Sequence, residues 1–292
     1  MLDKNKLILN FPYRIGAFAC LAILGLLLSG IFAHFATSIW GENTVTLRIS
    51  TVIQNVFFFI TPAIISALFI TRLPADFLRL RKAPTSKSVF LTIAIILFSI
   101  PAMNFIIHCN ESIVFPGTMS NLENSLKAME ETSKAQINIL LGEPTIINLI
   151  MSILIVGILT GLGEELFFRG ALQNILHTRP MNAHTAIWTT AIIFSALHFQ
   201  FYGFIPRILI GAFFGYLILW SGSIWLPIFA HALNNSLVVI STWICSRNSI
   251  NFDINKIATD LSIESFALII ASVITTAILI LLLYRHFQCN KK

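Results

Sequence analysis

Thr145-Ile-Ile-Asn-Leu-Ile-Met-Ser-Ile-Leu-Ile-Val-Gly-Ile-Leu-Thr-Gly-Leu-Gly-Glu-Glu-Leu-Phe-Phe-Arg169 is uncharged until Glu164. Crossing a bilayer as a helix takes about 20 apolar residues, so this run spans. Two adjacent carboxylates, Glu164 and Glu165, stand near its end. Arg169 follows Glu165 by four residues, so on a helix the two share a face and pair. Glu164 projects about 100° away from Glu165 on a 3.6-residue helix and is left for other work. An ionisable group inside a membrane helix costs roughly 2.5–3.5 kcal/mol on insertion scales, which makes it a functional-site hypothesis by default.

The composition fits that start. Of the 292 residues, 56% are hydrophobic and 11% charged, and the mean hydropathy is +0.83. Soluble domains carry about 25% charged residues, so the expected class is an all-α, polytopic membrane helix bundle. A net charge of +6 would suggest a nucleic-acid partner in a soluble protein. Here the basic residues bracket apolar segments and act as topology signals, so no nucleic acid is expected. The four cysteines, Cys20, Cys109, Cys245 and Cys289, show no ligand spacing. Most are expected to be small apolar core residues. Cys109 and Cys245 fall on one face, where a disulfide is left open.

About eight spans follow from hydropathy: Ile15–Ala36, Leu47–Ile70, Val89–His108, Thr145–Arg169 with a helix continuing to His177, Ala183–Phe201, Phe204–Trp220, Ile224–Ile244 and Ile263–Tyr284. Pro62 is expected to kink the second, and Pro180 to end the fourth. Residues 109–144 are polar, and Leu122, Leu126 and Met129 mark an amphipathic helix on the membrane surface. Eight crossings put both termini on one side. That side gathers Lys4, Lys6, Arg14, Arg72, Arg79, Arg81, Lys82, Lys87, Arg169, Arg179, Arg285, Lys291 and Lys292, thirteen of the nineteen basic residues. The positive-inside rule makes it cytoplasmic. Three regions follow: 1–144 with three spans and the external loop, a core over 145–245, and 246–292 with the last span and a basic tail.

Three polar clusters interrupt these helices: Glu164, Glu165 and Arg169; His198, with Phe194 one turn before it; and His231 with Asn235, which share a face at i, i+4. Each alone has a structural explanation. The carboxylates could be solvated at a helix end, His198 could be satisfied by a carbonyl, and His231 and Asn235 could be interhelical glue. Together, in so apolar a chain, they suit attack of water on a carbonyl. Glu164 is the candidate general base. His198 holds the same water or ligates a metal that activates it. His231 and Asn235 donate to the oxyanion. Other hydrolase patterns are absent from the sequence: there is no His-Glu-x-x-His, no Gly-x-Ser-x-Gly and no pair of intramembrane aspartates.

Glu-Glu-x-x-x-Arg at 164–169, Phe-x-x-x-His at 194–198 and His-x-x-x-Asn at 231–235 resemble the three motifs of the CPBP family. That family holds the CAAX prenyl endopeptidases and bacterial proteins linked to bacteriocin processing and self-immunity (the Abi family). The resemblance covers about residues 145–245. It implies a peptidase with Glu164 as water-activating carboxylate, His198 as its partner, and His231 and Asn235 as oxyanion or ligand residues, with Glu165, Arg169 and Phe194 in support. The metalloprotease label used for the family would make Glu164, His198 and His231 a ligand set for a divalent metal such as zinc. A glutamate–histidine mechanism needs no metal, and both stay open. The expected partners are the lipid bilayer and a peptide or membrane-associated protein substrate, and the expected location is a bacterial cytoplasmic membrane. Two other classes stay beside this one: a non-proteolytic protein that confers immunity by binding a toxin, and a small transporter using the carboxylates as a proton site.

Overall fold

The computed structural model describes residues 8–113, 115–177, 181–248, 257–260 and 262–289. Among these residues there is no β-strand. The main helices are α1 (Phe11–Trp40), α2 (Thr44–Ile70), α3 (Ser86–Glu111), α4 (Ser120–Leu141), α5 (Ile146–His177), α6 (Ala183–Ala196), α7 (Phe204–Ser221), α8 (Trp225–Asn248) and α9 (Ile263–Cys289). Their starts follow local capping chemistry. Asn43, Thr85, Thr145 and Asn182 each accept a backbone N–H of the first turn, for α2, α3, α5 and α6 in turn. Pro62 sits where a π-helical stretch, Asn55–Ile60, gives way to α-helix inside α2. The wider turn accommodates the residue that lacks an N–H.

Seven of these helices are long and apolar enough to cross a membrane. With the surface helix α4, they make a multi-pass membrane bundle. The expected fifth span, 183–201, is a correction. α6 has 14 residues, about 21 Å at 1.5 Å per residue, against a hydrocarbon core of about 30 Å. Residues 197–199 leave the helix, Phe199 with φ at 52°. The chain completes its passage through this turn and a short 3₁₀ turn at Phe201–Gly203, where the Asn110 side chain donates to the Phe201 carbonyl at 3.0 Å.

Contacts at the two ends fix the alternation. On one face Ile8 N donates to Ile70 O at 2.8 Å, Ile224 N to Arg79 O at 3.1 Å, and Thr85 Oγ1 lies 2.9 Å from His286 Nε2. On the other face Thr44 Oγ1 donates to Ile139 O at 2.8 Å, Arg48 Nε to Leu140 O at 3.1 Å and Trp243 Nε1 to Thr145 O at 3.1 Å. The start of α1 and the end of α9 therefore share the face that carries the basic 71–85 loop. Lys4, Lys6, Arg179, Pro180, Lys256, Lys291 and Lys292 lie outside the described residues. Arg169 leaves the count of face residues, because it is fully buried inside the bundle.

The core on the basic side of the bundle is aromatic. Phe18, Phe58, Phe59, Phe167 and Phe168 join α1, α2 and α5, with Phe18 and Phe167 centroids 4.7 Å apart. A second cluster, with Leu91, Phe214, Leu226 and Leu283, joins α3, α7, α8 and α9. Outward faces such as Leu24, Leu27, Ile31 and Phe35 of α1 are exposed, as a lipid-facing surface must be. The cysteines correct another expectation. Cys20, Cys109 and Cys289 are exposed on the outside of the bundle, and no disulfide joins Cys109 to Cys245. Hydrocarbon accepts a thiol as readily as a protein core does, so apolarity alone does not say which way a cysteine faces.

Candidate active site

α5 is not a uniform helix. π-helical stretches at Ile153–Leu159 and Leu166–Leu172 flank one α-helical turn and a half, Thr160–Glu165. Such stretches free backbone carbonyls and are frequent at functional sites. Two of those carbonyls are taken up by side chains. Thr160 Oγ1 donates to Ile155 O at 3.0 Å, and Asn235 Nδ2 from α8 donates to Val156 O at 3.1 Å. The helix does continue past Arg169 to His177. That continuation places Glu164 well inside the bundle, at a depth that the end of the short α6 can reach.

Gly157 and Gly161, one turn apart, let α5 and α8 touch. A Cβ at Gly161 would meet Ala232 N at 3.0 Å and Ala232 Cα at 3.3 Å. A Cβ at Gly157 would collide with Ser236 Oγ. This approach brings His231 to the carboxylates. Gly161→Val is therefore expected to part the helices and lower turnover about 100-fold, the order of loss that a 1 Å misplacement causes. Turnover of the purified variant, compared with its thermal unfolding, checks this.

Around that contact the polar residues form one chain. His231 Nδ1 lies 2.8 Å from Glu165 Oε1, and Arg169 Nη1 donates to the same oxygen at 2.7 Å. Arg169 Nη2 donates to Gly211 O at 3.0 Å. Glu165 and Arg169 are both fully buried. Three rings enclose the guanidinium: its carbon is 4.5 Å from the Phe194 centroid, 5.6 Å from Phe214 and 5.8 Å from Phe168. A buried cation is held here by a carboxylate, a carbonyl and aromatic faces.

Glu164 stands on the other side of His231. Its Oε2 is 3.7 Å from His231 Nε2, and this buried oxygen has no hydrogen-bond partner. His198 follows α6 in the turn, with Nδ1 2.8 Å from Phe194 O. A carbonyl only accepts, so Nδ1 carries the proton, and the neutral ring presents a lone pair at Nε2. Phe194 touches both imidazoles, 4.9 Å from His198 and 6.0 Å from His231 between centroids. His198 also lies within electrostatic reach of Glu164 and His231.

The structure thus gathers Glu164, Glu165, Arg169, Phe194, His198 and His231 into one site. Asn235 borders it, with its amide tied to Val156 O. Asn234 donates to Asn235 Oδ1 at 3.4 Å. Phe214 is a residue that the motifs miss: it stacks on His231 at 5.1 Å with an interplanar angle of 28°. Its only signal in the sequence is indirect, since a buried arginine needs ring faces or acceptors from somewhere. Among the described residues no three His, Cys, Asp or Glu side chains are gathered to hold an ion. The trio Glu164, His198 and His231 therefore does not form a ready ligand set, and the Nδ1 atoms of both histidines are already engaged.

A multi-pass helix bundle thus encloses two glutamates, an arginine and two histidines at one place. Residues 146–237 match the family described as type II CAAX prenyl endopeptidase Rce1-like, the group that the three motifs resemble. A curated relative, the uncharacterized protein YpbD of Bacillus subtilis (strain 168), is 33% identical over 83 residues. That alignment covers 27% of this chain and 39% of the relative, so the two are alike over less than half of either. No solved structure matches.

Proposed function

We propose that the chain is an intramembrane endopeptidase of a bacterial cytoplasmic membrane, and that it hydrolyses a peptide bond in a membrane-associated peptide or protein. The observation that carries this reading is the buried Oε2 of Glu164, partnerless and 3.7 Å from His231 Nε2. A buried carboxylate oxygen without a donor is costly unless something transient supplies one.

Glu164 Oε2 and His198 Nε2 are both acceptors, so one water can donate a hydrogen to each. Its lone pairs are then free to attack a carbonyl carbon. As the C–O bond forms, a proton passes to Glu164 and negative charge develops on the former carbonyl oxygen. His231, held through Nδ1 by Glu165, donates to that oxygen when Nε2 is protonated. Arg169 balances Glu165, so the support carries little net charge of its own. The tetrahedral species collapses as Glu164 returns its proton to the departing amine, and the C–N bond breaks. Asn235 acts by position, tethering α8 to the π-helical stretch of α5. No step passes through a metal.

The test compares new peptide termini in membranes of cells that produce the wild type, Glu164→Gln or His198→Ala, with membrane insertion of each confirmed. Termini that vanish in both variants are expected. Identical termini in all three would reject the proposal. If the variants still protected cells from a toxin while cutting nothing, the binding class would replace it.

A further inference from the structure

The basic face carries a pocket that hydrolysis does not use. It lies where the loop after α2 meets the ends of α5 and α7. Arg79, Gln173, Asn174 and His177 form its polar side, and Ile218 and Leu219 an apolar side. Among its lining residues, Arg79 Nε and His177 Nδ1 are buried without a hydrogen-bond partner, as is Gln173 Oε1, which lies against Gly215. Gln173 itself is only 5% exposed.

The charge here is not balanced. Asp76 is the one acid of the 71–85 loop, and it is paired with Arg81 at 2.9 Å. Burial draws the Arg79 guanidinium below the usual arginine range, and among the described residues no carboxylate offsets that. The Arg79 charge also reaches His177. Buried cations are normally paired, so a cation–imidazole pair with no acid among the described residues suits an anion. The backbone adds a second sign. Arg79 sits at φ 58°, a strained conformation for a residue with a side chain, and its carbonyl is clamped by Ile224 N at 3.1 Å. Strain of this kind persists where the surroundings impose it and gathers at ligand sites.

We propose that this pocket binds a phosphate group, presented by an anionic lipid of the leaflet that meets the basic face. One phosphate oxygen accepts from Arg79 Nε and another from His177. The closed part of the pocket holds about one water, so the tip of a headgroup enters and the rest stays at the mouth. Leu219 then borders the acyl chains. Basic pockets between transmembrane helices on the cytoplasmic side take lipid headgroups in this manner.

The test uses the full chain in mild detergent and native mass spectrometry with three probes: phosphatidylglycerol, phosphatidylcholine and inorganic phosphate. The wild type is expected to retain one phosphatidylglycerol in preference to phosphatidylcholine, whose own ammonium shields its phosphate. Arg79→Gln is expected to weaken that retention by at least about tenfold, and His177→Ala by less. Arg79→Lys keeps the charge without Nε and is expected to fall between. Thermal unfolding in phosphatidylcholine confirms that each variant is folded, and Arg79→Lys is decisive if Arg79→Gln is not. Arg79-dependent binding of inorganic phosphate without lipid retention would support the site with a soluble source. Equal phosphatidylglycerol retention by the wild type and every folded variant, or no preference among lipids together with no phosphate binding, would overturn the proposal.

Discussion

Glu164→Gln is expected to lower turnover at least about a thousandfold while leaving the fold intact. General-base catalysis by one positioned group is worth roughly 10²–10⁴ in rate, and here the same group also returns the proton to the leaving amine. The amide keeps the size and one acceptor of the carboxylate but cannot take a proton from water. It also keeps the hydrogen bonds that join Glu165 to Arg169 and His231, because none of them involves Glu164. Thermal unfolding within a few degrees of the wild type should accompany the loss. Purified protein in nanodiscs, assayed on a substrate identified from its new termini, measures both. If Glu164→Gln kept a tenth of the activity, the general-base role would be wrong.

Arg169→Ala is expected to act mainly on stability. The guanidinium is fully buried, bonded to Glu165 and to the Gly211 carbonyl, and boxed by Phe168, Phe194 and Phe214. Truncating it leaves Glu165 buried beside His231 without a cation. Breaking a buried pair by removing one partner costs about 3–5 kcal/mol, a large part of the stability of most domains. Lysine should not rescue it, since one ammonium cannot serve the carboxylate and the carbonyl together while packing flat on a ring. Glu165→Gln combined with Arg169→Met removes both charges and should recover most of the stability but little of the activity, because His231 loses the carboxylate that orients it. Unfolding midpoints of the three variants measure this directly. An Arg169→Ala protein as stable as the wild type would show that the buried pair is not structural.

Much of this was legible before any coordinates. Long apolar runs name membrane helices because a bilayer leaves a chain few other options. Glu165 and Arg169 pair as their i, i+4 spacing requires. What stayed hidden depends on tertiary partners. The ends of α6 could not be placed, because Ser195 to Phe201 is apolar enough to continue a span and nothing in it announces the turn at His198. The π-helical stretches of α5 have no sequence mark of their own, and only Thr160 and Asn235, meeting freed carbonyls, show afterwards what accommodates them. Phe214 lies on a helix with no polar residue nearby to flag it. Arg169 reads as a residue of the basic face because a positive charge counts as a topology signal until its partners are seen. The outward cysteines stay hidden because lipid and core look alike to a hydropathy scale.

The account rests on one arrangement, a single water held by Glu164 and His198 beside His231. A structure of the wild-type protein in lipid, at a resolution that shows ordered water, tests it most directly. The account predicts a water within about 3.2 Å of both Glu164 Oε2 and His198 Nε2, with His231 still bonded to Glu165. Protein atoms filling the space between those two side chains, or a metal ion bound by Glu164, His198 and His231 together, would contradict it.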